Sequence, residues 1–132
     1  MGVLYKQGRG VPRDMAEAAK WLAIASGNRN TAAEVEYAVM LFNGDGVAKD
    51  EAAGAKLFLR AAEQGNPVAQ NRVARIYAAG RGLRKDLIEA GKWHTLATAR
   101  GVPDPWLDDT LKVLTPAERA KADEAARKWQ ER

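Results

Sequence analysis

Apolar residues recur along the chain at intervals of three and four, in short stretches separated by glycine-rich turns, and this period predicts helices. Ahead of the glycine pair Gly80 and Gly82, the residues Val68, Val73, Ile76 and Tyr77 mark one apolar stripe. Further helices are expected at about Met15 to Ala25, Glu51 to Glu63 and Leu87 to Ala99. The turns between them are copies of one another: YKQGRGVPRD at 5–14, LFNGDGVAKD at 41–50 and YAAGRGLRKD at 77–86.

Shifting the chain by thirty-six positions aligns Gly8, Gly44 and Gly80, then Gly10, Gly46 and Gly82, then Val11, Val47 and Leu83. The same shift superposes Asp14, Asp50 and Asp86, then Lys20, Lys56 and Lys92, then Trp21, Leu57 and Trp93, then Ala25, Ala61 and Ala97. A period of this length means a stacked array of supersecondary units. Each column has a physical reason. The first glycine of each pair ends a helix in a left-handed conformation, which carries a steric cost for any other residue. The aspartates stand before the next helical stretch as N-caps. Small residues at Ala18, Gly54 and Ala90, with Ala19, Ala55 and Gly91 beside them, mark where neighbouring helices approach. Trp21, Leu57 and Trp93 are expected to fill the space between layers. EQGNP at 63–67 turns the chain into the next unit, with Gly65 as the C-terminal cap and Pro67 near a helix start.

The pattern LY-x-x-G-x-G-V-P-x-D, followed by A-x-x-W and then A-E-Q-G-N, resembles the Sel-one-like repeat family, relatives of tetratricopeptide repeats, over about residues 1 to 102. The resemblance implies an all-α fold, a right-handed α-α superhelix of antiparallel helix pairs, and work as an adaptor that gathers other proteins. On this frame the chain is a single repeat domain: residues 1–30 a first unit, 31–66 a second, 67–102 a third, and 103–132 a degenerate closing pair. Met1 aligns with Tyr37, so the first helix is read as cut short and the N-terminal repeat edge as a place for association. Pro103 to Leu114 reads as a first helix, and Thr115, Pro116 and Glu118 as a capping box opening a last one whose apolar stripe is Ala122, Ala125, Ala126 and Trp129.

Composition narrows the class of work. With 46% hydrophobic and 29% charged residues among 132, the chain is of globular type, and no run of about 18 apolar residues suggests a bilayer span. The net charge of +4 arises from 21 basic and 17 acidic residues spread along the chain, which disfavours nucleic acid as the partner. There is no cysteine, so thiolate metal sites and disulfides are excluded, while the bacterial periplasm and cytoplasm both remain open.

Candidate chemistry is sparse. The only histidine, His94, falls in the column of Leu22 and Phe58 and reads as a packing residue, with no second histidine to complete a metal site or triad. Asp108 and Asp109 are adjacent and so point in different directions on a helix. The glycine loops lack the strand before and the GK[ST] after that a phosphate site needs. No catalytic, cofactor or metal residue is assigned. The remaining signal is basic: Arg72, Arg75, Arg81, Arg84, Lys85 and Lys92 face only Asp86 and Glu89. In solenoids the first helices line the concave binding face. Arg72, Arg75 and Ala79, with Glu36 and Val39 of the preceding unit, are therefore the candidate residues for a protein or peptide partner of acidic character, and both arginines are expected to be replaceable without harm to the fold. Two other readings stand beside this one: a small hydrolase acting on cell-wall or β-lactam substrates, and an electrostatic binder of nucleic acid or an anionic surface.

Overall fold

A computed structural model of the chain describes residues 31–131 and, before them, positions 17, 18, 20–22 and 24, which are helical. The first copy of the loop (Gly8, Gly10, Val11, Asp14), together with Ala19, Ala25, Gly27 and Arg29, lies outside the described residues. From residue 31 the chain runs through α1 (Thr31–Asn43), α2 (Glu51–Glu63), α3 (Pro67–Ala79), α4 (Leu87–Ala99), the short α5 (Pro105–Thr110) with a 3-10 turn (Leu111–Val113), and α6 (Pro116–Gln130). Every regular element among the described residues is helical; α1 packs on α2, α2 on α3 and α3 on α4, while α4 is covered by α6 rather than by the short α5 that follows it.

The repeated loop has one hydrogen-bond scheme, used twice. Gly44 N–H donates to Met40 O (2.7 Å) and Asp50 N–H to Leu41 O (2.8 Å); thirty-six positions on, Gly80 N–H donates to Ile76 O (2.7 Å) and Asp86 N–H to Tyr77 O (3.0 Å). Both glycines of each pair have positive φ, 75° and 76° in the first loop and 70° and 83° in the second. The aspartates then cap: Asp50 Oδ1 accepts from Ala53 N–H, and Asp86 Oδ1 from Ile88 and Glu89 N–H. The loop thus satisfies both helix ends at the reversal and holds the pair antiparallel.

Small residues set how closely the helices approach. A methyl group on Gly54 would lie 2.7 Å from Phe42 Cδ2 and 2.9 Å from Ala38 O, so the missing side chain is what lets α1 cross α2 at this distance. Gly91 does the same for α6, where Ala122 Cβ would be 3.0 Å away. Between these seams lies a continuous core of Phe58, Val73, Ala74, Trp93, Leu96, Leu107 and Leu111.

The tryptophan column does not behave uniformly. Trp93 is 1% exposed, whereas Trp21, expected in the same layer, is 72% exposed. Trp93 is covered because α6 lies over α4 and presents Trp129 edge-on at 5.8 Å between ring centroids. Position in the repeat therefore does not bury this column by itself; an overlying helix does.

After α4 the register changes. The cap-proline pair Asn66–Pro67 recurs at Asp104–Pro105, 38 positions on rather than 36. The expected helix from Pro103 begins two residues later, since Asp104 is the capping residue, and gives way to a 3-10 turn at Leu111. Leu114 is already extended, and Thr115, which precedes a proline, is held out of the helical region. The capping box forms as the sequence predicts: Glu118 N–H donates to Thr115 Oγ1 (3.1 Å) and Thr115 N–H to Glu118 Oε1 (2.9 Å). Ala122 and Ala126 of α6 are buried against α4. Among the described residues no helix is long and apolar enough to cross a membrane.

Candidate functional site

Because each loop reverses the chain, α1, α3 and α5 come to lie along one face, with α2 and α4 behind them. A cavity of about 430 Å³ opens on that face. Its apolar wall is Val39 and Phe42 of α1 with Ile76 and Ala79 of α3, and the buried ring of Phe58 closes its floor. Gly54 has a direct part in this. With no side chain there, Phe42 packs across α2 and meets Phe58 at 5.7 Å between centroids, the rings tilted by 54°.

Three guanidinium groups stand around the opening, and they are not equivalent. Arg75 donates through Nε to Asp104 Oδ2 (2.6 Å) and through Nη2 to Asp104 Oδ1 (3.0 Å), a bidentate pair. Asn71 Nδ2 adds a third donor to Asp104 at 2.8 Å, and Leu107 N–H a fourth as the cap bond. Burial alone would push the Asp104 carboxyl up, but the hydrogen bonds from Arg75, Asn71 and Leu107 and the charge of Arg75 outweigh it and hold its pKa at about 2. The Arg75 guanidinium also lies 5.0 Å from the ring centroid of Trp106, which is 45% exposed at the cavity mouth. Arg75 is thus a fastening between α3 and α5. Its partner Asp104 is only 4% exposed, so replacing Arg75 would leave a buried carboxylate without its main donor, a consequence the sequence expectation did not include.

Arg81, in the second glycine loop, pairs with Glu51 at the start of α2 and lies 5.7 Å from the Phe42 ring centroid. Arg72, one turn before Arg75 on α3, forms no ion pair among the described residues. Of the sequence candidates, Val39, Arg72, Arg75 and Ala79 line the cavity, while Glu36 is exposed on α1 outside it. The wall also contains Phe42, Phe58 and Trp106, which repeat reasoning did not single out, and Arg81, which belonged to the basic run but was not placed on the binding face. The repeat gave no signal for Phe42, whose column holds Lys6 one period earlier and Ala78 one period later.

Two further polar clusters lie away from the cavity. Glu34, fully buried on α1, takes Arg60 of α2 and the Gln64 that caps its C-terminus as donors, the latter at 3.1 Å. His94 is buried as its column predicts, but it is not purely a packing residue: Nε2 meets Asp108 Oδ1 at 2.6 Å and Nδ1 lies 3.5 Å from Thr98 Oγ1. Asp109 turns away from that pair to Lys112 (2.9 Å). The His94–Asp108 contact joins α4 to α5, and the Arg75–Asp104 pair joins α3 to the cap of α5, so α5 is fastened to both α3 and α4. No group of His, Cys, Asp and Glu among the described residues could hold a metal ion.

Comparison with known proteins places this geometry. The Sel1 repeat model matches residues 1–28, 31–66 and 67–102. The crystal structure of c5321, a protective antigen of uropathogenic Escherichia coli displaying an SLR fold, is similar at TM-score 0.87 and 28% identity, over 98% of this chain and 28% of that one. A Sel1 repeat protein from Oxalobacter formigenes is similar at TM-score 0.65 and 36% identity, over 76% of this chain and 41% of that one. The chain therefore spans less than half the length of either protein. A search of the curated proteins finds no match.

Proposed function

The chain belongs to the Sel1 repeat family, whose helical solenoids serve as protein-interaction scaffolds, and on that premise we propose that it is a non-catalytic adaptor holding a protein segment in the groove between its first helices. The observation that carries this reading is the half-open cavity on α1, α3 and α5, where Phe42 and Trp106 present aromatic surface beside polar guanidinium groups. Aromatic and arginine side chains in such a setting are what protein interfaces use as anchors. Among the described residues, the cavity lining contains no serine, cysteine, histidine or carboxylate, which supports binding over the hydrolase alternative.

Affinity capture from cell extract tests it. Ala79→Trp fills the groove from an exposed position, and Thr95→Trp on α4 places the same bulk outside it. Proteins retained by the wild-type chain and by Thr95→Trp should be lost with Ala79→Trp. Retention that ignores Ala79→Trp would move the binding surface off this groove.

A further inference from the structure

The three arginines of the groove divide in a way that specifies the occupant. Arg75 is neutralised by Asp104 through two hydrogen bonds, and Arg81 by Glu51. Arg72 stands on the same stripe of α3 as Arg75, Ile76 and Ala79, lines the cavity, and has no acid within ion-pair distance among the described residues. Any chain that covers this groove takes water from the Arg72 guanidinium. A guanidinium left without water and without a counter-charge is costly, whereas one that receives a carboxylate in a two-pronged hydrogen bond is not. Next to it, Trp106 offers apolar surface on the side that Arg75 does not occupy, and Val39 and Phe42 form the facing wall.

We infer that the groove selects a protein segment carrying one carboxylate for Arg72 and, adjacent to it, an apolar or aromatic side chain that lies against Trp106. This deepens the adaptor reading and rests on it. A single carboxylate is required because the other two cations already have their own. The same count disfavours a nucleic-acid strand, which brings a charge at every phosphate and gains affinity from several free cations together. It also disfavours a basic segment, which would meet Arg72 with like charge.

The probe is a displayed library of random peptides roughly a dozen residues long, selected on the full chain and then measured by fluorescence anisotropy. Enriched peptides should share an Asp or Glu beside an apolar residue. Their affinity should fall at least about tenfold with Arg72→Glu, an effect of the size expected for a desolvated charge pair. Changing the peptide acid to Lys should restore binding to Arg72→Glu and abolish it with the wild type. Peptides that lose binding with Trp106→Ala but carry no acid, or ignore Arg72→Glu, would overturn this inference and leave the groove reading standing. Peptides indifferent to both variants, or no enrichment at all, would overturn both. Tighter, Arg72-dependent binding of oligothymidylate than of any peptide would replace the protein segment with a nucleic acid.

Discussion

Gly82 carries two constraints that can be separated by mutation. Its φ is +83°, and a methyl group built on it would lie 2.5 Å from the Glu51 carbonyl oxygen, 2.9 Å from Glu51 C and 3.0 Å from Ala55 Cβ. The second loop thus rests directly on the first turn of α2, where Arg81 also binds the Glu51 carboxylate. Gly101 has a comparable φ of +90° but nothing within 4 Å of the same built position, so it reports the backbone term alone. Forcing alanine into the left-handed region costs about 1–2 kcal/mol. The stiffer unfolded chain returns about 0.4–1 kcal/mol of that. Gly101→Ala should therefore lose about 1 kcal/mol. At Gly82 the collision is with backbone, which cannot rotate aside, and overpacking of this kind adds about 1–3 kcal/mol. Gly82→Ala should then lose roughly 2–4 kcal/mol, and at about 4 °C per kcal/mol for a chain of this size its Tm should fall roughly 8–16 °C against about 4 °C for Gly101→Ala. Thermal and urea unfolding followed by far-ultraviolet circular dichroism would measure both. Equal losses at the two glycines would mean that the loop does not bear on α2, and the account of the seam would be wrong.

Arg72→Glu should change stability by no more than about 0.5 kcal/mol, as surface substitutions do. Arg75→Glu, which leaves buried Asp104 facing a like charge, should cost about 2–3 kcal/mol, the lower range for a broken buried pair because Arg75 itself is 45% exposed; calorimetry showing equal Tm for the two variants would sink the distinction. Asp104 also makes a signed prediction in acid. Its pKa is depressed in the fold from 3.8 to about 2, so its stabilisation is fully present above the unfolded value and is lost as pH falls through the folded one. The stability gap between wild type and Asp104→Asn should narrow by about 2 kcal/mol between about pH 5 and pH 2, and a constant gap in urea titrations would contradict the assignment. Deleting Thr115 onward removes Ala122, Ala126 and Trp129 from α4 and leaves Trp93 uncovered; light scattering should show aggregation, or unfolding should begin at lower temperature, and a soluble chain with unchanged Tm would show that α6 covers nothing that matters.

The repeat was legible in the chain because its determinants are local. A left-handed glycine, an aspartate cap and a proline at the first helical position act within four residues of themselves, so the reversals at Gly44 and Gly80, the caps at Asp50 and Asp86 and the box at Thr115 and Glu118 could be read from spacing. The period then decided which helices stand side by side, and with it that Val39, Arg72, Arg75 and Ala79 share one face. What tertiary structure alone decided is the state of each charge and ring on that face. Arg72 and Arg75 are indistinguishable in sequence, yet Asp104, 29 positions from Arg75, reaches one and not the other because the two-residue shift after α4 brings its cap position there. His94 keeps a core position and still finds Asp108, which α5 brings to 2.6 Å from its Nε2. Trp21 and Trp93 occupy one column and differ in burial, and it is α6, laid over α4, whose Trp129 covers Trp93. Backbone geometry follows from nearest neighbours along the chain, whereas ion pairing and burial follow from which element arrives from elsewhere, and a period cannot encode an arrival that occurs once.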